Sequence, residues 1–145
     1  IADGRGMAAA FMLGAQGVQL GTRFLVAQEC TISPEYKKKV LKAKDIDTVV
    51  TGKRLGHPVR SIKNAFTREY TKCEYNSSEF SDEELEKMGT GVLRKAAREG
   101  DTSHGCVLAG QIAGMVKKEQ PAKEIIEEIF AETEQVLGGA NKWVK

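Results

Sequence analysis

The first 22 residues constrain the fold more than any other part of the chain, because they alternate short apolar segments with glycine turns. Ile1–Ala2 are typical of a strand end and Asp3–Gly4 of a tight turn, and Met7 to Leu13 are strong helix formers. The stretch from Gly17 to Leu20 then favours a buried strand, and Gly21–Thr22 a second turn. The predicted order is strand, glycine turn, helix, strand, glycine turn.

Two neighbouring strands joined by one helix lie parallel, since the helix returns the chain to the edge where the first strand began. Both glycine turns then meet at one edge of the sheet, where Gly4 and Gly21 allow the main chain to approach an anion and Thr22 adds a hydroxyl donor. Paired glycine turns after the last two strands of an eight-stranded α/β barrel are a common phosphate site. Glycine turns that only connect elements tightly fit the pattern as well.

The amino-acid composition limits the kinds of binding partner that we expect. The apolar fraction of 41% and the charged fraction of 29% are ordinary for a globular protein of 145 residues. No apolar run is long enough to span a bilayer, and a formal net charge of +2 gives no signature of nucleic-acid binding, so we expect neither membrane nor nucleic acid as a partner. Cys30, Cys73 and Cys106 are odd in number and far apart, which favours free thiols in the cytoplasm.

The middle of the chain is predicted to be mostly helical. Ser33 before Pro34 is a good start for a helix through EYKKKVLKAK, and residues 47–51 look like a short strand that Gly52 ends. The segment GHPVRSIKNAF predicts a helix from about Val59, with Val59, Ile62 and Phe66 on one face.

Further helices follow towards the end of the chain. Ser81 and Glu84 form a capping box for a helical run that Gly100 ends. A polar loop at residues 100–105 precedes a predicted helix of small residues from Leu108 to Lys118. An amphipathic helix is predicted from about residue 121 to Gly138–Gly139.

Several polar residues between the turns and the end of the chain could carry chemistry. Asp101, His104 and Cys106 crowd one loop, but they lack a fourth metal ligand and a separate orienting residue, so we predict no metal site. His57 beside a proline is either a ligand-facing residue or a structural one. The lysine-rich run from residue 37 to 44 is either a solvated face or a docking face for an acidic carrier protein.

Three stretches together resemble a known family. IADGRGMAAAFMLGAQGVQLGTRFLVAQE, then GHPVRSIKN, then GCVLAGQIAGMV, in this order and at this spacing, resemble the flavin-dependent enoyl-acyl-carrier-protein reductases of the FabK type. The close relatives of that group are the nitronate monooxygenases. The resemblance covers almost the entire chain.

The resemblance implies an α/β fold, namely the C-terminal portion of a TIM (β/α)8 barrel with a small, mostly helical domain inserted after strand 8. Residues 1–32 would form the region of strands 7 and 8 with the FMN phosphate cup, residues 33–100 the inserted domain, and residues 101–145 the closing barrel helices. The first six strands and the family's catalytic histidine would lie in a missing N-terminal half of the barrel. Neither His57 nor His104 therefore takes the catalytic role.

The resemblance also implies two groups of site residues. Gln19, Leu20, Gly21 and Thr22 would hold the FMN phosphate through main-chain donors and the Thr22 hydroxyl, and Gly4 would line the same cup.

The second implied group is the segment VLAGQ, in which Leu108, Ala109, Gly110 and Gln111 would face the flavin ring and the substrate. Close packing of a helix through small residues explains the same segment equally well.

The implied reaction is the reduction of a 2-enoyl thioester on acyl carrier protein in fatty-acid synthesis. NADH or NADPH would reduce FMN, and hydride would pass to the β-carbon of the substrate. A homodimer is also implied, and the present chain alone is expected to be inactive. The alternatives are FMN-dependent oxidation of alkyl nitronates and a non-catalytic phosphate-binding α/β protein. The histidine in GHPVRSIKN and the lysine-rich segment favour the reductase.

Overall fold

A computed structural model describes residues 1–142 and divides the chain into two compact units. The first unit consists of residues 1–30 and the residues from 118 onward, and the second unit is Thr31–Lys117. The α helices are α1 Gly4–Met12, α2 Pro34–Lys42, α3 Ala65–Glu74, α4 Asp82–Gly89, α5 Val92–Ala97 and α6 Ala122–Gly138; the strands are β1 Thr48–Thr51 and β2 Val59–Ile62; and 3₁₀ helices span Thr22–Val26, Gln111–Met115 and Ala140–Lys142.

In the first unit, α1 packs against α6. Met7 of α1 and Ile125 and Ile129 of α6 share an apolar core with Ala27. The predicted helix at residues 7–13 is present but begins earlier, because the Asp3 side chain accepts a hydrogen bond from the Gly6 N–H at 2.9 Å and caps the first turn. The predicted terminal helix is also present as α6.

The prediction of a strand at residues 17–20 is wrong for the described chain. These residues have no regular secondary structure, and the parallel bridge of this unit joins Ala27 to Gln120 instead. A β-strand forms only where it can hydrogen-bond to a neighbouring strand. Within residues 1–142, no strand lies beside residues 17–20.

The second unit contains an antiparallel hairpin. Thr48 pairs with Ile62 and Thr51 with Val59, so the prediction of a helix from Val59 is wrong. Helix α3 begins only after Asn64, whose side chain accepts from the Thr67 N–H at 2.9 Å. Pairing with β1 therefore overrides the helical spacing of the apolar residues.

Local capping residues determine where α2 and α4 of this unit begin. Ser33 caps α2, and the predicted capping box of Ser81 and Glu84 is present at α4. The predicted single helix up to Gly100 is two helices, because Gly91 adopts the left-handed conformation with φ of 78° between α4 and α5.

Residues 101–117 belong to the second unit. The sequence analysis instead assigned them, together with the rest of residues 101–145, to the closing barrel helices. The Asn64 side-chain amide donates to the carbonyls of Thr102 and Gly105, and the Ile62 N–H donates to the Val107 carbonyl at 2.8 Å. These hydrogen bonds tie the segment to the hairpin and to α3. Among the described residues, no helix is both long and apolar enough to cross a membrane.

Candidate functional site

The predicted phosphate-binding residues form an exposed turn in the first unit. The chain has no regular secondary structure from Ala15 to Leu20, turns at Gly21 and enters the 3₁₀ helix Thr22–Val26. The Phe24 N–H donates to the Gly21 carbonyl at 2.9 Å. A Cβ atom added at Gly21 would meet no heavy atom within 4 Å in the described part of the chain, apart from atoms of the turn itself. The main chain at this turn is therefore open to a ligand.

Gln19 and Leu20 also line an apolar cavity of about 610 Å³ in the first unit. The other lining residues come from α1, α6 and the neighbouring loop: Met7, Phe11, Gln16, Gly17, Val18, Phe24, Ile126, Ile129 and Phe130. None of these lining side chains carries a charge. The cavity itself therefore suits an apolar occupant rather than a phosphate group.

Gly4 has different surroundings. Its N–H donates to the Glu132 carboxylate at 2.7 Å, and its carbonyl accepts from the Thr133 hydroxyl at 3.2 Å. A Cβ atom at this position would lie 2.5 Å from the Ile129 carbonyl oxygen and 2.6 Å from the Glu132 Cβ. Helix packing against α6 thus requires a glycine here, and the role of Gly4 in a phosphate cup stays a prediction.

Arg23, which the sequence analysis did not single out, anchors the turn. Its buried guanidinium donates to the Gln120 side chain and to the Lys118 carbonyl, and burial lowers its pKa while Glu128 opposes the shift. Hydrogen bonds from Lys118 and Gln120 lower the pKa of the Glu128 carboxyl. Only the fold brings these residues together, so no local sequence signal marked them.

The predicted substrate-facing segment is extended and not helical at its start. Leu108 forms an antiparallel bridge with Ser61, and the Ala109 N–H donates to the Arg60 carbonyl at 3.2 Å. The Tyr36 hydroxyl donates to the Leu108 carbonyl at 2.8 Å. The predicted helix over residues 108–118 is therefore wrong, since the segment pairs with β2 before the 3₁₀ helix Gln111–Met115 begins.

Leu108 lines a second cavity, of about 510 Å³, inside the second unit. Cys106 and Tyr70 lie on its wall, and burial raises the pKa of both the thiol and the phenol. The Ser61 hydroxyl beside the thiol opposes the shift of Cys106. His57, one of the residues considered as a ligand contact, lies on the same wall.

The loop with Asp101, His104 and Cys106 does not bring the three side chains to one point. The Asp101 carboxylate accepts from the His104 N–H at 2.9 Å and lies 3.1 Å from its Nδ1, and these hydrogen bonds lower the pKa of Asp101 to about 2. The Cys106 thiol is buried beside Ser61 instead. In residues 1–142 no group of three or more histidine, cysteine, aspartate or glutamate side chains is placed to hold a metal ion. Asp101 thus organises the loop.

Comparison with known proteins identifies the family. The family model described as nitronate monooxygenase matches residues 1–132, which is most of the chain. The chain belongs to the nitronate monooxygenase family. Both groups of predicted site residues, 19–22 and 108–111, fall inside the span that the family model matches.

Individual members of the family and solved structures are also similar. A curated relative from Staphylococcus saprophyticus, named "Probable nitronate monooxygenase", is 36% identical over 138 residues. The structure of FabK from Thermotoga maritima matches 99% of the chain with 43% identity and a TM-score of 0.92. A nitroalkane oxidase from Streptomyces ansochromogenes matches 96% of the chain with 27% identity and a TM-score of 0.75. The chain therefore has the α/β fold of the corresponding part of these oxidoreductases.

The matches cover less than half of each relative. The chain spans 38% of the Staphylococcus protein, 45% of the Thermotoga FabK chain and 39% of the Streptomyces protein. More than half of the length of each of these proteins has no counterpart in the present sequence.

Proposed function

We propose that this chain is the C-terminal part of an FMN-dependent enoyl-acyl-carrier-protein reductase that uses NADH or NADPH. The observation that carries the proposal is the similarity to FabK from Thermotoga maritima, at 43% identity over 99% of the chain. The nitroalkane oxidase structure is similar at only 27% identity. The proposed whole protein has a TIM barrel whose remaining strands lie in the part that the chain does not include.

The turn at Gln19 to Thr22 is the proposed FMN phosphate site. Its main chain is exposed at Gly21, and a Cβ atom added there would meet no heavy atom of residues 1–142 outside the turn itself within 4 Å. Exposed N–H groups of a glycine turn bind a phosphate at close range, because no Cβ atom stands between the main chain and the anion. Arg23, anchored to Gln120, would hold this turn in place.

When bound, FMN would supply the redox chemistry, and the residues of the chain would orient the reactants. Leu108, Ala109, Gly110 and Gln111 are proposed to border the substrate thioester. The bridge between Leu108 and Ser61 fixes the main-chain conformation at the start of this segment. The position of Leu108 relative to β2 is therefore defined. The proton donor, a histidine in the FabK type, is proposed to lie in the remaining part of the barrel.

An anaerobic assay of the complete protein loaded with FMN tests the proposal. We expect NADH or NADPH to be oxidised stoichiometrically with crotonyl or 2-decenoyl thioester, with the saturated thioester as the product identified by mass spectrometry. A protein that binds FMN and oxidises the nicotinamide but leaves every enoyl thioester unchanged would contradict the reductase proposal.

Oxidation of alkyl nitronates is the second candidate function. The family model and the curated Staphylococcus relative support it by name. Propyl-2-nitronate with oxygen provides the test, and oxygen uptake without added nicotinamide cofactor would favour this activity. A complete protein without the absorption of oxidised flavin would instead favour a non-catalytic phosphate-binding protein.

A further inference from the structure

Gln120 lies at the centre of a hydrogen-bond network in the first unit, where it is 6% exposed. Its side-chain oxygen accepts from the Arg23 guanidinium, and its side-chain nitrogen donates to the Glu128 carboxylate at 2.7 Å. Its main-chain carbonyl accepts from the Gln28 N–H at 2.9 Å, and the residue forms the parallel bridge with Ala27. This one buried residue therefore joins the start of α6 to the chain that follows the second glycine turn.

Charged groups fix the orientation of the Gln120 side chain. The Lys118 Nζ donates to the same Glu128 oxygen at 2.6 Å, and hydrogen bonds from Lys118 and Gln120 lower the pKa of the Glu128 carboxyl. The carboxylate is therefore ionised at neutral pH and accepts more strongly than a neutral group would. As a result, the nitrogen of the Gln120 amide faces Glu128 and its oxygen faces Arg23.

The 3₁₀ helix Thr22–Val26 depends on such support from outside. A helix of five residues has few internal hydrogen bonds and is marginal by itself. Its buried residues are Arg23 and Val26, and Arg23 is the one nearer to Gly21. The position of the main chain at the turn therefore depends on where the Arg23 guanidinium is held.

The arrangement of Arg23 also favours an anion near the turn. The guanidinium is 7% exposed, and both of its acceptors in residues 1–142, the Gln120 amide oxygen and the Lys118 carbonyl, are neutral. The Glu128 carboxylate acts on it through space rather than by direct contact. A buried cation on neutral acceptors keeps much of its field, and that field attracts a negative group to its neighbourhood.

We propose that Gln120 is a positioning residue for the FMN phosphate and that it acts through Arg23 on the turn at Gln19 to Thr22. The inference rests on the proposed phosphate site and adds the residue that gives it specificity, 97 positions along the chain from Arg23. Main-chain donors bind an anion well only when they are held within about 0.5 Å of the productive geometry. Preference for FMN over riboflavin, which has the same ring system but no phosphate, therefore depends on Gln120.

Two substitutions in the complete protein break the network. Gln120→Ala removes the acceptor of the guanidinium, and Arg23→Gln removes the guanidinium itself. Gln135→Ala is the matched control for the first, because Gln135 is an exposed glutamine of α6. Lys123→Gln is the control for the second, because the Lys123 side chain is a cation of the same helix and is 82% exposed. The thermal unfolding curve of each variant shows whether it is folded.

Glu128→Gln is a milder variant, in which folding is less at risk. The Glu128 side chain is 49% exposed, and the new amide oxygen can still accept from Lys118 and Gln120 while the charge is lost. Glu127→Gln is its control, since the neighbouring Glu127 side chain is 62% exposed and lies outside the network.

The direct measurement is the Kd for FMN and for riboflavin, obtained from flavin fluorescence in titrations of the apo form of the complete protein. We expect the Kd for FMN to rise at least about tenfold in Gln120→Ala and Arg23→Gln and about threefold in Glu128→Gln. The three controls should stay within about twofold of the wild type. The Kd for riboflavin should stay within about twofold in every variant, because the network acts on the phosphate and not on the ring.

The outcomes separate this inference from the proposed function. If the wild-type protein prefers FMN and the folded variants keep the wild-type ratio of the two Kd values, the role of Gln120 is wrong and the proposed phosphate site stands. If the two Kd values rise together, the network only stabilises the unit, which also contradicts the inference. If the wild-type protein binds both flavins equally, the proposed phosphate site itself is wrong. Should Gln120→Ala and Arg23→Gln fail to fold, the ratio in Glu128→Gln decides in the same way.

Discussion

The two glycine turns of the first unit look alike in sequence and differ in structure. Gly4 is pressed against α6, where an added Cβ would lie 2.5 Å from the Ile129 carbonyl oxygen, and its N–H is bound by Glu132. At Gly21 no heavy atom of residues 1–142 beyond its chain neighbours lies within 4 Å of the corresponding Cβ position. The same residue type therefore serves close helix packing in one turn and leaves an open main chain in the other.

The difference extends to charge. The first turn of α1 has two carboxylates of the chain itself: Asp3 accepts from the Gly6 N–H, and Glu132 accepts from the Gly4 N–H. Gly21 lies at the N-cap of the 3₁₀ helix Thr22–Val26, and a glycine has no side chain that could cap it. A phosphate at Gly4 would meet two negative charges at short range, and this charge difference supports the proposal that the phosphate binds at the Gly21 turn.

The largest expected effect comes from Gly4→Ala. The added methyl group overlaps the backbone of α6, and we expect the free energy of unfolding of the complete protein to fall by about 2–3 kcal/mol in guanidinium titrations. Gly6→Ala in the same helix is the control, because its Cβ would have its nearest neighbour at 3.4 Å. Equal stability of the two variants would contradict the packing role of Gly4.

Glu132→Ala should have the next largest effect. The substitution leaves the Gly4 N–H without its acceptor, and we expect a loss of about 1–2 kcal/mol in the same unfolding measurement. Glu134→Ala, at an exposed position of the same helix, should change stability by less than about 0.5 kcal/mol. If removal of the Glu132 carboxylate raised the affinity for FMN, the phosphate would lie near Gly4. This result would contradict the proposed difference between the two glycine turns.

Asp3→Ala removes the cap of α1. We expect a loss of about 1 kcal/mol, measured by the same titration, because the Gly6 N–H loses its side-chain acceptor. Asp3→Asn keeps an acceptor at the cap and should retain most of the stability. If both variants were equally unstable, the charge of Asp3 rather than its capping bond would matter.

Gly21→Ala should have the smallest effect on stability, below about 0.5 kcal/mol, because space is available for a methyl group and the φ of −111° suits any residue. FMN affinity, measured by fluorescence titration of the apo form of the complete protein, should nevertheless fall about tenfold, which corresponds to about 1.4 kcal/mol. An unchanged FMN affinity in this variant would contradict the proposal that the Gly21 turn binds the phosphate.

Local signals explain which elements could be predicted. Ser33 before Pro34 and the capping box of Ser81 and Glu84 are satisfied within a few residues, and the helices that they begin are present. The FabK-like stretches likewise predicted the family that the comparison identified. The glycine turns predicted an anion site at Gly4, Gly21 and Thr22. The other proposed residues came from the resemblance, and all of these roles stay predictions.

The failures arose where distant segments decide the structure. Residues 59–62 have helical spacing, but pairing with β1 makes them a strand. Leu108 and Ala109 follow them into extended structure through Ser61 and Arg60. A chain segment with two compatible conformations adopts the one that satisfies its buried main-chain hydrogen bonds, and the partners for those bonds lie far away in the sequence.

The sequence by itself determined the helix starts at Ser33 and Ser81, the presence of helices α1 and α6, and the family, because these depend on neighbouring residues or on short motifs. Only the tertiary structure decided what each glycine does. The partner of Gly4 is Glu132, 128 positions along the chain, whereas the main chain at Gly21 remains open. A glycine permits both close packing and ligand approach, and the choice between them depends on which surface the fold places against it.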